Sequence, residues 1–372
     1  VHILIIAPEQ IPVPPVMGGS VEICIHQIAQ RLAVSHQVTV ISRRHSRYPV
    51  IEQNGGLTIV RVPAGTRREY IRSALRAVKG RRFDWIQIDN RPKFVPPVRK
   101  AFPRTPVSLY LHSLTFVSPP YITPGRAGEC LSRADLIVAN SQATVRRLKG
   151  MFPKVKDRFR KVWLGVDSER FRPAAPGERE QLQGEYRTAR GFTVLFTGRL
   201  IPRKGIPVLI RAMKRVRRAV PHAHLVIAGH GKPGYVKSLK RTASRLGVSV
   251  QFLGYIPHSK MHEVYRLADC FVCPSQKHES FGLVNVEAMA SGLPVVASKL
   301  GGIREVVSHK RNGLLVRHYR SSRAFARQIG RLASDRQLAE RLSRQARADA
   351  EERFGWEETA RRLARLYQDV SR

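Results

Sequence analysis

The chain has 372 residues, 66 of them Lys or Arg against 27 Asp or Glu, so its formal net charge is +39. With 42% hydrophobic and 25% charged residues it is a globular chain rather than a disordered one, long enough for two domains that each bury a core. No apolar run approaches the roughly 18 to 20 residues of a membrane-spanning helix, and cysteines at 24, 130, 270 and 273 are too few for a disulfide scaffold in a chain this long.

The first half reads as alternating strands and helices. Runs rich in Val and Ile at His2–Ala7, Gln37–Ser42, Leu57–Val62, Asp84–Ile88, Val107–Leu111 and Leu136–Ala139 predict buried strands of a parallel sheet. Val1–Ala7 is followed directly by Glu9 and prolines with no basic leader, so it reads as a strand rather than a secretory signal, and a cytoplasmic location is expected. Gly18-Gly19-Ser20 precedes the amphipathic stretch Val21–Leu32, with Ser20 as the predicted N-cap. Without Cβ atoms, Gly18 and Gly19 let backbone amides approach a phosphate, although a glycine pair alone is usually only a turn. His112 follows Val107–Leu111 at a strand's carboxyl edge, where a lone histidine is more often structural. Asn90-Arg91-Pro92 stands at another such edge; it either binds an anionic acceptor group or marks a strand exit.

Lys161-Val-Trp-Leu-Gly-Val-Asp167, with a charged, irregular stretch to Gly191, reads as a crossing between domains, with the boundary near Gly165. Strands are predicted at Thr193–Thr197, His224–Ala228, Ser249–Phe252, Cys270–Cys273, Pro294–Ala297 and Gly313–Val316. Helices are predicted near Ile206–Val220, Gly234–Leu246, His258–Ala268, Leu283–Ala290 and Ser321–Arg353. Cys270 and Cys273 point to opposite faces of their strand and no second cysteine pair exists, so they read as buried thiols rather than a zinc site.

Two loops carry the chemistry. Gly198-Arg-Leu-Ile-Pro-Arg-Lys-Gly205 follows a strand and ends at a glycine turn; its Arg199 and Lys204 bring a planar fork of donors and a compact charge, with Arg203 as a rival for the lysine's part. In Pro274–Ala290, Glu279 and Glu287 stand eight residues apart across a loop that opens a helix at the carboxyl end of a strand, the edge where open α/β sheets bind ligands. Ser280 and Gly282 let a phosphate reach the new helix's amides. Carboxylates beside a phosphate would repel it unless they face hydroxyl donors, so the pattern suits a sugar phosphate ester. Singly, either glutamate reads as a helix cap or a solvated face.

This arrangement resembles the Glu-x7-Glu motif of the retaining family 4 glycosyltransferases, and the resemblance runs from Val1-His-Ile-Leu-Ile-Ile-Ala-Pro8 with Gly18-Gly19 to Phe354-Gly-Trp-Glu-Glu358. Glu9-Gln-Ile-Pro-Val-Pro-Pro15 and Asn90-Arg-Pro92 are similar to a spore-coat-associated branch of it. The resemblance implies the α/β GT-B fold: two Rossmann-like, doubly wound parallel-sheet domains facing a cleft. They would comprise residues 1–164 on the acceptor side and 165–355 on the nucleotide-sugar side, with a last helix, 356–372, crossing back to the first. It implies catalytic roles for His112, Arg199, Lys204 and Glu279, and donor contacts from Gly18, Gly19, Phe281, Gly282, Leu283, Val284 and Glu287. Arg199 and Lys204 would hold the diphosphate, Glu279 the sugar, Glu287 the ribose and His112 the sugar near its 6-hydroxyl. Ala228-Gly-His-Gly231 would be a further donor-side turn, and the base would lie near Tyr255-Ile-Pro257.

The implied reaction is metal-independent front-face transfer from a nucleotide sugar, UDP-sugar first, to a glycan, lipid or protein acceptor, with no cofactor. No Asp-x-Asp of the metal-dependent kind is present. The unusual Pro12-Val-Pro-Pro15 sets the acceptor side apart from the general family. The basic clusters, such as Arg43-Arg44 and Arg215-Val-Arg-Arg218, are dispersed and lack interleaved aromatics, which disfavours nucleic acid. They form either an arginine-rich solvated surface or one that associates with an anionic membrane or spore coat. The alternative to an enzyme is therefore a coat or surface protein that keeps the fold and works through its basic exterior.

Overall fold

The computed structural model of the chain describes residues 1–371. The chain forms two compact units, Val1–Gly165 together with the C-terminal segment from Trp356, and Val166–Gly355. Arg372, the end of the predicted last helix, lies outside the described residues.

The first unit holds an eight-stranded sheet: β1 (His2–Ile6), β2 (Gln37–Arg43), β3 (Ile51–Asn54), β4 (Leu57–Val62), β5 (Trp85–Asp89), β6 (Val107–Leu111), β7 (Leu136–Ala139) and β8 (Phe159–Lys161), in the order β3-β4-β2-β1-β5-β6-β7-β8. All neighbours are parallel except β3 and β4, where Ile51 lies opposite Val60 in an antiparallel pair. β1, at the middle, pairs with β2 on one side and β5 on the other. The chain reverses direction across the sheet there, and a crevice opens at the carboxyl ends of such central strands. Residues of β5, β6 and β7 are buried throughout, as expected of strands covered on both faces. Two strands escaped the sequence reading. β3 is an exposed polar edge, and β8 has three residues of which only Phe159 is buried.

The first helix, Ser20–Leu32, differs from expectation at its start. Its N-cap is Gly19, at φ 79°, and no side chain caps it; Ser20 is already helical, because the left-handed turn at Gly18 and Gly19 does the work of reversing the chain. The C-terminal helix Trp356–Ser371 packs on this helix. Tyr367 stacks on Trp85 with ring centroids 4.4 Å apart, and its hydroxyl donates to Gln87 Oε1.

The second unit is a six-stranded, fully parallel sheet of β9 (Thr193–Thr197), β10 (His224–Ala228), β11 (Val250–Gly254), β12 (Cys270–Cys273), β13 (Val295–Ser298) and β14 (Gly313–Val316), ordered β11-β10-β9-β12-β13-β14. Its switch point lies between β9 and β12, the two strands whose following loops carry Lys204 and Glu279. Cys270 and Cys273 are free and buried within β12. The long helix predicted over Ser321–Arg353 is two helices, Ser322–Ser334 and Arg336–Arg353, divided at Asp335, whose side chain caps the second by accepting from Leu338 N. The charged stretch before Gly191 contains a helix, Glu178–Glu185, on which only Leu182 is buried.

Candidate active site

In the second unit the loop after β9 and the loop after β12 meet. Gly205 stands at φ 75°, and a Cβ there would overlap the Pro274 carbonyl oxygen, so only glycine lets the two backbones run this close. Arg203 O accepts from Gln276 N at 2.8 Å across the same junction. The result is that Lys204 Nζ donates to Glu279 Oε2 at 2.6 Å, and Ser275 Oγ donates to that same oxygen at 3.1 Å. Burial works to raise the Glu279 pKa. The Lys204 ammonium, the hydrogen bonds from Lys204 and Ser275 and the charge of Arg203 outweigh it, so the carboxyl titrates below its usual range. Of the two rivals, Lys204 reaches Glu279; the Arg203 side chain is exposed. Arg199 lies exposed on the same loop, which Leu200 N anchors to His230 O at 2.7 Å. Cβ atoms on Gly229 and Gly231 would overlap the carbonyl oxygens of Gly198 and Leu200, which explains both glycines of the Ala228–Gly231 turn.

Beyond Glu279 the backbone turns at Gly282, φ 85°, into the helix Leu283–Ala290. Phe281 is buried and meets Phe354 edge-on at 5.9 Å. Gly302 N donates to Glu279 O at 2.9 Å, and a Cβ on Gly301 or Gly302 would strike the carbonyls of Glu279 or Ser280. The Gly301-Gly302 turn thus clamps the loop that carries Glu279. One turn into the helix, Glu287 is buried, with Oε2 accepting from Tyr265 at 2.8 Å and Oε1 lying 3.0 Å from His258 Nε2. Tyr265 OH also lies 2.9 Å from Thr197 Oγ1. Burial and the neighbouring Glu287 push its phenol pKa far up, so it stays a proton donor. His258, Tyr265 and Ser275 escaped the sequence reading, which placed only His112 among the histidines in a functional context.

Gly18, Gly19 and His112 belong to the first unit, after β1 and β6. Gly19 has both a positive φ and no room: a Cβ would lie 2.8 Å from Glu22 Oε2 and 3.0 Å from Pro15 Cβ. His112 Nε2 is 2.8 Å from Asp89 Oδ1, and its ring stacks on Tyr110 at 4.5 Å. Asp89 is held in turn by Gln87 Nε2 at 2.8 Å. Asn90, at φ 54°, accepts from His112 N at 2.8 Å, and Arg91 donates to Glu9 at 2.6 Å. Both side chains are thus engaged at the edge that follows β5. Glu22, buried against this cluster, has its pKa raised to about 7, first by burial and then by Asp89 and Glu9, with Arg91 opposing. Among the described residues no group of three or more His, Cys, Asp or Glu is placed to hold a metal, and no helix is long and apolar enough to cross a membrane.

The family model for glycosyl transferases group 1 matches residues 179–349, and that for Glycosyltransferase Family 4 matches residues 17–170. Spore coat protein SA of Bacillus subtilis (strain 168) is 30% identical over 376 residues, covering 98% of this chain and 99% of that protein. D-inositol 3-phosphate glycosyltransferase of Xylanimonas cellulosilytica is 29% identical over 393 residues, 95% of this chain and 93% of that one. Among solved structures, sucrose-phosphate synthase from Thermosynechococcus elongatus superposes with a TM-score of 0.83 at 22% identity, over 100% of this chain and 99% of that one. Anabaena HepE, solved with UDP, does so at 0.79 and 24% identity, over 99% and 100%. These likenesses establish the GT-B fold. With a relative at this identity matched end to end, and a glycosyltransferase family model on each half, the chain belongs to the GT-B family 4 glycosyltransferases.

Proposed function

We propose that the chain transfers a sugar, with retention of anomeric configuration, from a UDP-sugar to a glycan, lipid or coat acceptor, and that it needs no metal ion. The Lys204–Glu279 pair carries this reading. In the free protein each neutralises the other; a nucleotide sugar offers each a better partner, its diphosphate to the ammonium and its hydroxyls to the carboxylate. Arg199 on the same loop adds the second cation, so negative charge developing on the β-phosphate is met by fixed side-chain donors in place of a metal ion.

Glu279 is held by Lys204 and Ser275 and serves to position the sugar rather than to attack it. The acceptor hydroxyl then approaches the face the phosphate leaves: the new carbon–oxygen bond forms as the bond to phosphate breaks, and the acceptor's proton passes to the departing phosphate oxygen. Glu287 takes the ribose hydroxyls, and backbone groups of Phe281, Gly282, Leu283 and Val284 line the sugar and phosphates. In the first unit, His112, Gly18 and Gly19 keep the contacts to sugar and phosphate or acceptor that family membership implies. UDP is supported by the Anabaena neighbour, which was solved with it.

Thermal-shift measurements with UDP, GDP, ADP and their glucose conjugates test this, since a ligand of the folded state raises the melting temperature. Stabilisation by UDP and UDP-sugars, lost in Lys204→Ala, is expected. Preference for GDP would replace the nucleotide, and an inverted product by NMR would replace the mechanism. The spore coat relative favours one second reading, a coat protein acting through its basic exterior. No nucleotide binding, together with surface adhesion that survives Glu279→Ala, would select it.

A further inference from the structure

The charge of the second unit is one-sided. Strand order sends β9, β10 and β11 outward in one direction and β12, β13 and β14 in the other. Because parallel crossovers are right-handed, the two series put their helices on opposite faces of the sheet. On one face lie Pro233–Arg245, Ile206–Ala219 and Ser322–Ser334, packed side by side in that order. Together these three helices carry twelve Lys and Arg and no Asp or Glu. On the other face lie Glu178–Glu185, His258–Arg266, Leu283–Ala290, Ile303–Val306 and Arg336–Arg353. These carry nine Lys and Arg against ten Asp and Glu.

Compositional bias alone would enrich both faces. Instead, the run from Tyr186 to His262 contains no acidic residue at all, and the fold gathers two of its helices beside the acid-free Ser322–Ser334. The basic residues that look dispersed along the chain are therefore concentrated by topology. Arg211, Lys214, Lys240, Arg241, Arg323 and Arg327 are all exposed. Neighbouring helices lie about 8–10 Å apart and rise about 1.5 Å per residue, so three of them present a cationic area roughly 20 Å on each side.

We propose that this face docks the protein on an anionic lipid bilayer. The charges spread over a broad face made of three helices packed side by side. Phe325 is buried and Tyr235 half-buried, so no exposed aromatic is offered for stacking on bases. None of the exposed large apolar side chains belongs to these helices. Attachment is by charge alone, without insertion, and is reversed by salt. This surface is distinct from the loops around Lys204 and Glu279, and docking through it does not depend on nucleotide-sugar binding.

Flotation of the full chain with phosphatidylcholine vesicles, with and without phosphatidylglycerol, tests it. Binding is expected only to the anionic vesicles, and raised salt should abolish it. The variant Arg211→Glu/Lys214→Glu/Lys240→Glu/Arg327→Glu should weaken partitioning at least about tenfold, because each basic residue near the surface contributes separately. The charge-matched variant Lys260→Glu/Arg304→Glu/Arg341→Glu/Arg344→Glu, on the opposite face, should change it far less. Melting temperatures near that of the parent establish that both sets are folded, and Gln in place of Glu provides a milder set if they are not. Equal losses in the two sets would overturn the proposal, as would equal binding to neutral vesicles. Tighter binding of duplex DNA than of anionic vesicles by the same face, at the same salt, would assign it to nucleic acid instead.

Discussion

Lys204 Nζ and Glu279 Oε2 stand 2.6 Å apart, joined across the loops that follow two adjacent strands of one sheet. Neither group alone is unusual in so basic a chain; their pairing is, and in the proposed reaction it supplies a cation for the diphosphate and an anion for the sugar. Lys204→Ala and Glu279→Ala should each lower sugar transfer by at least about a hundredfold, the order expected when a preorganised charged contact is removed. Turnover assays on purified, folded variants check this. Parent-like rates in both would remove the assignment.

Glu287 has both oxygens engaged, one by Tyr265 at 2.8 Å and one beside His258 at 3.0 Å. These neighbours fix its orientation. Tyr265→Phe removes one hydrogen bond to a buried carboxylate, and nucleotide affinity should fall about tenfold, in line with about 1.5–3 kcal/mol for a bond to a charged group. In the proposed role Glu287 takes the ribose hydroxyls, so 2′-deoxy-UDP should bind the parent more weakly than UDP, and the gap should narrow in Glu287→Ala. Calorimetry with the two nucleotides measures it. An unchanged gap would leave Glu287 with a structural part only.

Gly205 and Gly302 separate two kinds of glycine requirement. At Gly205 a side chain meets both a left-handed backbone and the Pro274 carbonyl, whereas Gly302 has an ordinary φ of −69° and only backbone atoms, the Ser280 carbonyl and Phe281 Cα, in the way. Both alanine variants should destabilise, Gly205→Ala by about 2–4 kcal/mol and Gly302→Ala by less, since strain and overpacking add at the first and only overpacking acts at the second. Urea unfolding gives the two values, and the reverse order would refute the distinction.

How much of this was legible in the chain follows from what each residue faces. The central strands announced themselves because both their sides are buried, leaving continuous apolar runs such as Ile3–Ile6 and Val194–Phe196. β3 did not, since Ile51–Asn54 is exposed at an edge and carries Glu, Gln and Asn. Asp335 was hidden inside a continuous helical pattern, though its cap to Leu338 is the reason that pattern breaks. Arg199, Lys204, Glu279 and Glu287 stood out because glycines frame the turns around them. Tyr265 and His258 sit on an amphipathic helix with nothing local to mark them, and they reach Glu287 only because β11 and β12 lie on opposite sides of β9 and β10. The one-sided basic face was invisible for the same reason: it is a property of strand order, not of spacing.

Tyr367 binds the last helix to the first unit's sheet by a stack on Trp85 and a hydrogen bond to the buried Gln87. Gln87 in turn donates to Asp89, which holds His112. Tyr367→Ala should cost about 3–5 kcal/mol, as for other large aromatic side chains removed from a core. Tyr367→Phe should keep the stack and most of the stability. Unfolding curves of the two variants distinguish packing from the hydrogen bond.

Glu22 makes the stability of the fold depend on pH. Burial raises its pKa to about 7 from the ordinary 4.5, so the folded protein holds a proton that the unfolded chain releases. Below pH 4.5 the group is protonated in both states and favours neither. Between pH 4.5 and about 7 only the unfolded chain ionises it, so stability falls as pH rises, by on the order of 3 kcal/mol at the limit. Above 7 both states are ionised and the slope vanishes. Glu22→Gln keeps the size of the neutral form and removes the ionisation, so the stability difference between parent and variant should widen in the variant's favour across that window. Denaturant titrations at pH 5, 6, 7 and 8 measure the difference. A gap that stays constant over the whole range would show that the Glu22 carboxyl ionises alike in both states, and would remove the buried acid from the edge beside Gly19.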